Sequence, residues 1–284
     1  MNEVLELFSL LPLPVLYALG RVVYVLAYHV LRYRRSVVLD NLRRCFPDWP
    51  EKQLRRVARQ FYRNLADVLA EFIKGHSMSQ DELRRRVTVV DSDLVRTYIA
   101  RGQNVVLVAA HHCNWEWLAL AASAHLGAPV HAVYKRLHVR GIDRFVEQTR
   151  SRFGGHPVPV ENFLTEVLKR GTSAHAFALV SDQTPPQQEE KYWTRFLGQD
   201  TAFYVGAEKI ARLTRSPVVF VGLKRLRRGY YEAKLTLLVA PPYAGPTGIV
   251  TEPYARAVET QILESPHDWL WTHRKWKYDR PVYT

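Results

Sequence analysis

Cysteine is nearly absent: Cys45 and Cys113 are the only two in 284 residues, which excludes a disulfide framework and any four-cysteine metal module. A pair of lone thiols fits a folded part kept in the reducing cytosol. Glycine is sparse, and no GxGxxG or P-loop pattern occurs, so no nucleotide cofactor is expected. HExxH is missing too, as are internal repeats, low-complexity tracts and flexible linkers. Acid is the scarcer charge: 27 Asp and Glu stand against 40 Lys and Arg, a formal net charge of +13. That imbalance implies acidic partners: nucleic acid, an anionic membrane surface, a phosphorylated substrate or an acidic carrier protein.

A clean hydrophobic run is also lacking. Residues Val4 to Leu31 are mostly apolar but are interrupted by Glu6, Pro12, Pro14, Arg21 and His29, where an unambiguous spanning helix needs roughly 20 uninterrupted residues. The acidic start Met1-Asn-Glu3-Val-Leu-Glu6, with no small-residue cleavage site after it, argues against a secretory signal. Arg32, Arg34, Arg35, Arg43 and Arg44 follow, so an inserted segment would leave the rest of the chain in the cytoplasm. The competing reading is an ordinary buried or amphipathic helix. The expected division is an apolar membrane-anchoring segment, residues 1–31, and a single α/β domain, residues 32–284, whose first part to residue 86 is largely helical.

Hydrophobic periodicity gives the rest of the architecture. Residues Pro50 to Gly75 carry Leu54, Val57, Ala58, Phe61, Leu65, Val68, Leu69 and Phe72 at helical spacing, with Arg55, Arg56, Arg59 and Arg63 on the other face. Residues Asp81 to Arg86 continue as a short helix, and Val87 to Val90 open the sheet. Further strands are expected at Pro129–Tyr134, His175–Val180, Pro217–Leu223 and Tyr231–Val239, the last two joined as a hairpin through Arg228-Gly229. Helices are expected at Ile142–Phe153 and Ala207–Leu213. The alternation defines an α/β fold with a mixed, mainly parallel central sheet flanked by helices. Thr184 to Thr201 reads as a long polar loop able to cover a site or contact a charged substrate.

The densest chemistry lies in Asn104-Val-Val-Leu-Val-Ala-Ala-His111-His112-Cys113-Asn114-Trp115-Glu116. A buried strand runs into two histidines and a carboxylate, with Asn114 as N-cap of the helix that follows. On a continuous helix residues five apart diverge, so His111 meets Glu116 only from a turn before the helix. His112 and Glu116, four apart, share a face if the helix starts earlier. Three readings compete: a general base oriented by Glu116, a metal site, and hydrogen-bonded polar residues at a strand end. The metal reading is the poorest in ligands, and Cys113 adds a thiol nucleophile as a fourth.

The motifs then fall into a recognisable order. His111 and Glu116 in His-x4-Glu spacing, Arg35 to Asn41, Phe46-Pro47, Tyr134-Lys135, Arg150 to Gly154, Ser181-Asp182-Gln183, Phe196 to Gly198 with Thr201, and Trp271 to Lys277 together cover nearly the whole chain. In that order they resemble the lipid A biosynthesis acyltransferases, within the lysophospholipid acyltransferase superfamily. Many members carry Phe-Gly where this chain has His112-Cys113. The resemblance implies His111 and Glu116 as catalytic residues, no cofactor and no metal. Asn114, Tyr134, Lys135, Arg150, Arg152, Asp182, Gln183, Phe196 and Gly198 are the expected substrate-binding positions.

It further implies an acyl donor held as a thioester on acyl carrier protein or coenzyme A, and an acceptor hydroxyl on a phosphorylated glycolipid such as a lipid A precursor, or on another phospholipid. The expected location is the bacterial inner membrane, facing the cytoplasm. Asp182 reads equally as a turn residue before Pro185-Pro186. Trp269, Trp271 and Trp276 among His273, Arg274, Lys275 and Lys277 suit a membrane interface, base stacking or simple burial. The rival classes are a lipid hydrolase using the same pair and a basic membrane- or nucleic-acid-binding module. Binding alone gives no reason for a His/Glu pair after a buried strand, so nucleic acid is not the expected partner.

Overall fold

The computed structural model describes residues 2–169 and 173–278. Nine strands are described: β1 Val87–Val90, β2 Val105–Ala109, β3 Val130–Tyr134, β4 Gly155–Pro159, β5 Ala176–Val180, β6 Lys191–Phe196, β7 Gln199–Tyr204, β8 Val218–Arg227 and β9 Tyr230–Val239. Seven of them form one sheet in the order β1-β9-β8-β2-β5-β3-β4. Its pairings are parallel except for the β8–β9 hairpin, which turns at Arg228-Gly229 as expected.

Strand β2 is buried along its whole length because helices cover both faces of the sheet, and an apolar run without alternation is what that demands. Val106 and Val108 face one core, while Val105, Leu107 and Ala109 face the other. Each fully buried aliphatic side chain here contributes roughly 1.5–3 kcal/mol, an upper bound because unfolded chains already bury some surface. A charge at Leu107 would break the second core.

The helices are α1 Asn2–Leu10, α2 Leu13–Val25, α3 Arg35–Cys45, α4 Glu51–Gly75, α5 Gln80–Arg86, α6 Ser92–Ala100, α7 Trp115–His125, α8 Arg140–Arg150, α9 Phe163–Lys169, α10 Gly206–Thr214 and α11 Thr251–Glu264. A π-helical turn, Leu26–Val30, prolongs α2. The stretch Leu13–Val30 is long and apolar enough to cross a membrane by length and composition, and most of it is exposed. Its remaining residues are built into the fold. Leu13 and Leu16 enter one core, Tyr24 and Tyr28 the other, and α4 runs beneath contributing to both.

The expected polar loop between Thr184 and Thr201 is corrected by the structure, which forms the antiparallel hairpin β6–β7 there. Leu197 at φ +50° and Gly198 at φ +76° make its two-residue turn, the left-handed pair that hairpins favour. Of the three C-terminal tryptophans two resolve in favour of burial, and Trp276 packs half-buried against the same core. Trp269 and Trp271 are 2% and 0% exposed and pack edge to face, so neither faces a membrane or a base.

Candidate active site

Register explains how the site forms. Ala109 at the end of β2 stands beside Val180 at the end of β5, so the residues two steps further on, His111 and Asp182, emerge side by side at the carboxyl edge of the sheet. Tyr254 on α11 ties the two strand ends together: its hydroxyl donates to the Ala109 carbonyl at 2.8 Å and accepts from the Ser181 amide at 3.2 Å.

His111 Nδ1 lies 2.6 Å from Asp182 Oδ1, while the His111 backbone amide and the Trp269 indole donate to Oδ2 at 3.1 and 2.7 Å. Burial raises the carboxyl pKa. The attraction of His111, the two side-chain hydrogen bonds and Lys275 more than offset this and hold Asp182 at about 2. An ionised Asp182 only accepts, so Nδ1 of His111 carries a proton, and the neutral form of the ring has its lone pair at Nε2. The Gln183 amide nitrogen is 3.4 Å from that Nε2.

Glu116 goes elsewhere. Its carboxylate receives a two-pronged hydrogen bond from Arg150, at 2.9 and 2.6 Å, and a third from the Trp115 indole at 3.0 Å. The role of orienting the imidazole, expected of Glu116, therefore falls to Asp182. Helix α7 starts at Trp115, leaving His112 outside it, so the alternative four-residue pairing of His112 with Glu116 has no helical face to share. His112 is buried, and desolvation lowers its pKa to about 4. Its Nδ1 has no hydrogen-bond partner among the described residues. His111, at 19% side-chain exposure, is the histidine a substrate can reach.

The remaining expected residues divide between support and surface. Asn114 is the N-cap of α7: Oδ1 accepts from the Trp117 amide at 2.9 Å and Nδ2 donates to Glu71 at 2.7 Å. Fully buried and committed at both ends, it is placed to hold the helix rather than to meet substrate. Arg150 lies against the buried Tyr134 ring, whereas Arg152 donates to the Gly75 carbonyl at 2.6 Å, so the two arginines diverge. Lys135 is exposed beyond β3. Phe196 is fully buried against Phe203 and Trp269, and Gly198 serves the hairpin turn, so neither is placed for substrate contact.

The thiol reading of Cys113 is also corrected. Burial pushes that thiol well up, keeping it protonated and shielded. Its backbone holds φ +51°, a left-handed geometry that glycine adopts freely, at the position where Phe-Gly is common in the resembling family. His112, Cys113 and Asp268 place ligand-type atoms within 4.8 Å of one another, but Arg225 stands 3.7 Å from Asp268. A fixed guanidinium is poor company for a metal ion.

Four residues support the site in ways the sequence did not reveal. Glu71 accepts from Tyr17, Tyr231 and Asn114 at 2.6, 2.6 and 2.7 Å, joining α2, β9 and the α7 cap around one buried carboxylate. Trp269 holds Asp182. Lys275 is buried and donates to the carbonyls of Gln183 and Ala202, and burial lowers its pKa to about 7 despite the pull of Asp182. His273 accepts from the Thr184 amide at 3.0 Å. Trp269, His273 and Lys275 were visible in sequence only as part of the C-terminal tryptophan and cation segment, and Glu71, on the flank of the apolar stripe of α4, gave no signal.

An imidazole–carboxylate pair at adjoining strand ends of an α/β sheet is an arrangement capable of acid–base chemistry. The family model described as bacterial lipid A biosynthesis acyltransferase matches residues 1–278, and the chain belongs to that family and is an acyltransferase. Among its relatives is the lipid A biosynthesis palmitoleoyltransferase of Escherichia coli (strain K12), 24% identical over 98% of this chain and 90% of that protein. The lipid A biosynthesis acyltransferase of Shigella flexneri matches to the same extent. The lauroyltransferase of Escherichia coli (strain K12) is 24% identical over 96% of this chain and 89% of its own.

Proposed function

We propose that this enzyme transfers a fatty acyl chain from an acyl thioester, carried on acyl carrier protein, to a hydroxyl of a lipid A precursor. The observation that carries the reading is His111, oriented through Nδ1 by an ionised Asp182, with Nε2 turned to where an acceptor hydroxyl can approach. The acceptor oxygen attacks the thioester carbonyl carbon while Nε2 takes its proton. The C–O bond forms and the carbonyl π pair moves to oxygen. That pair returns as the C–S bond breaks, and the departing sulfur takes the proton from His111. No enzyme-bound acyl group is required.

Glu116 acts through Arg150 in this scheme, fixing the guanidinium on the opposite wall for acceptor oxygens. The negative charge on the tetrahedral intermediate develops beside the N-terminus of α7, whose first residue, Trp115, lies edge-on to the His111 ring at 5.3 Å. For binding to develop, Gln183 must yield its place at Nε2 to the acceptor hydroxyl. The exposed apolar N-terminus and the arginines after it support a location on the cytoplasmic side of the inner membrane. Residues 1–31 serve as the attachment and as a wall of residues 32–284.

Mass spectrometry of products tests this. Detergent-solubilised enzyme is given matched acyl carrier protein and coenzyme A thioesters with a lipid A precursor or a lysophospholipid. The expected product is an acyl ester on the lipid A precursor, formed faster from the carrier protein. Acylation of the lysophospholipid alone would move the acceptor class, and free fatty acid released without acceptor would make the enzyme a hydrolase.

A further inference from the structure

Arg21 is costly where it stands. It interrupts the apolar helix α2, where an unpaired guanidinium beside hydrocarbon is retained only if it meets a partner or an aqueous cavity. The structure supplies the cavity, of about 710 Å³, between α2, α4 and the β8–β9 turn, with Arg21, Arg63, Arg225 and Arg228 in its lining and Asp67 as the one carboxylate there. Asp67 is taken by Arg225 at 3.4 Å and by Arg228. Arg21 and Arg63 form no ion pair among the described residues. Arg225 Nε faces Asp268 at 3.7 Å, and its Nη2 is buried without a hydrogen-bond partner among the described residues. Arg63 and Arg228 lie against the rings of Tyr24 and Tyr17 on α2, at 5.4 and 3.9 Å, which fixes them beside that helix.

We propose that this cavity binds the phosphomonoester headgroup of a membrane lipid whose chains lie along the exposed apolar side of α2. With Asp268 counted beside Arg225, four guanidinium groups face two carboxylates, an excess of two charges that suits a dianion, and a phosphomonoester carries close to two charges at neutral pH where a phosphodiester carries one. Val15, Leu19, Val22 and Val23 on α2 are exposed and apolar, offering the acyl chains a surface within a turn or two of Arg21. The site is separate from the catalytic pair: no hydrogen bond among the described residues joins a lining residue to His111 or Glu116. It therefore extends the proposed function without depending on which acceptor is acylated.

Vesicle flotation of the full-length protein reads the site without using turnover. Phosphatidylcholine vesicles containing phosphatidic acid are compared with vesicles containing phosphatidylglycerol, adjusted to equal surface potential. Wild type should bind the phosphatidic acid vesicles several-fold more tightly, and Arg21→Gln/Arg63→Gln, both exposed side chains whose loss spares the fold, should weaken that binding about tenfold while leaving the phosphatidylglycerol binding little changed. Arg101→Gln/Lys234→Gln removes the same charge far from the cavity and should have no selective effect. Equal affinity of wild type for both vesicle types, or equal losses in the two double variants, would overturn the proposal. Release by millimolar inorganic phosphate at constant ionic strength would reassign the cavity to the free ion and overturn it as well. Loss of acyl transfer with lipid binding intact would count against the proposed function only.

Discussion

Trp269 donates its indole N–H to the same carboxylate, Asp182, whose other oxygen holds His111, at 2.7 Å. The C-terminal segment thus reaches the His111 imidazole through one shared acceptor. Trp269→Phe keeps the ring packed against Trp271 and Phe196 but removes the donor. Turnover should fall about tenfold and stability by about 1–3 kcal/mol, the ordinary effect of leaving a buried charge short of one hydrogen bond. Steady-state kinetics and chemical unfolding in detergent check both.

The Glu116–Arg150 pair is largely enclosed, with side chains 15% and 18% exposed. Removing one partner leaves an uncompensated charge, so Glu116→Gln and Arg150→Met should each destabilise the protein by roughly 3 kcal/mol. The double variant Glu116→Gln/Arg150→Met should recover part of that stability and none of the activity. A double variant restored in turnover would remove the pair from the acceptor wall.

Glu71 connects the apolar helix α2 to the α7 cap through Tyr17 and Asn114. Burial raises its pKa, and Arg225 and the three donors oppose that rise. Glu71→Gln places an amide N–H among groups that already donate, so stability should drop by about 1–3 kcal/mol. Tyr17→Phe, which deletes one donor and adds none, should cost less. A reversed order in unfolding measurements would mean that the network does not need an acceptor at this point.

His112 is buried neutral, its pKa lowered to about 4 by burial, against an ordinary 6.5 in the unfolded chain. Between these values the unfolded state binds the extra proton, so stability falls as pH drops from about 6.5 towards 4. His112 alone accounts for roughly 3 kcal/mol of that loss. His273 adds a loss of the same sign over the same window. Asp182, ordinarily near 3.8 and held at about 2, contributes stability that is present above its unfolded pKa and is lost as pH falls further. His112→Phe should flatten the upper part of the profile, read as unfolding midpoints at pH 7 and pH 5.

Much of this was legible in the chain, and the gaps have physical causes. The all-apolar run of β2 announced an interior strand, so the placement of His111 at its end followed. Its partner did not, because proximity in sequence points to Glu116, five residues away, whereas the Asp182 contact spans 71 residues and is set by the β2–β5 register. Strand β4 was missed because Pro157 and Pro159 argue against a strand. They are tolerated since β4 is the sheet's edge, where missing amides cost little. The β6–β7 hairpin read as loop because β6 is mostly half-exposed and β7 buries the consecutive Thr201, Ala202 and Phe203, so neither strand shows a clean two-residue alternation. Trp269 and Trp271 gave an ambiguous signal in sequence, since an indole suits an interface and a core equally well.

The central claim is that Asp182, not Glu116, orients the base His111. Turnover of Asp182→Asn, His111→Ala and the double variant in the acyl-transfer assay, with folding verified for each, tests it most directly. His111→Ala should lower kcat by about 10²- to 10⁴-fold, Asp182→Asn by a similar factor, and the double variant no further than His111→Ala alone, because the two groups act as one unit. A folded Asp182→Asn enzyme with wild-type turnover, beside a folded Glu116→Gln enzyme as inactive as His111→Ala, would contradict the account.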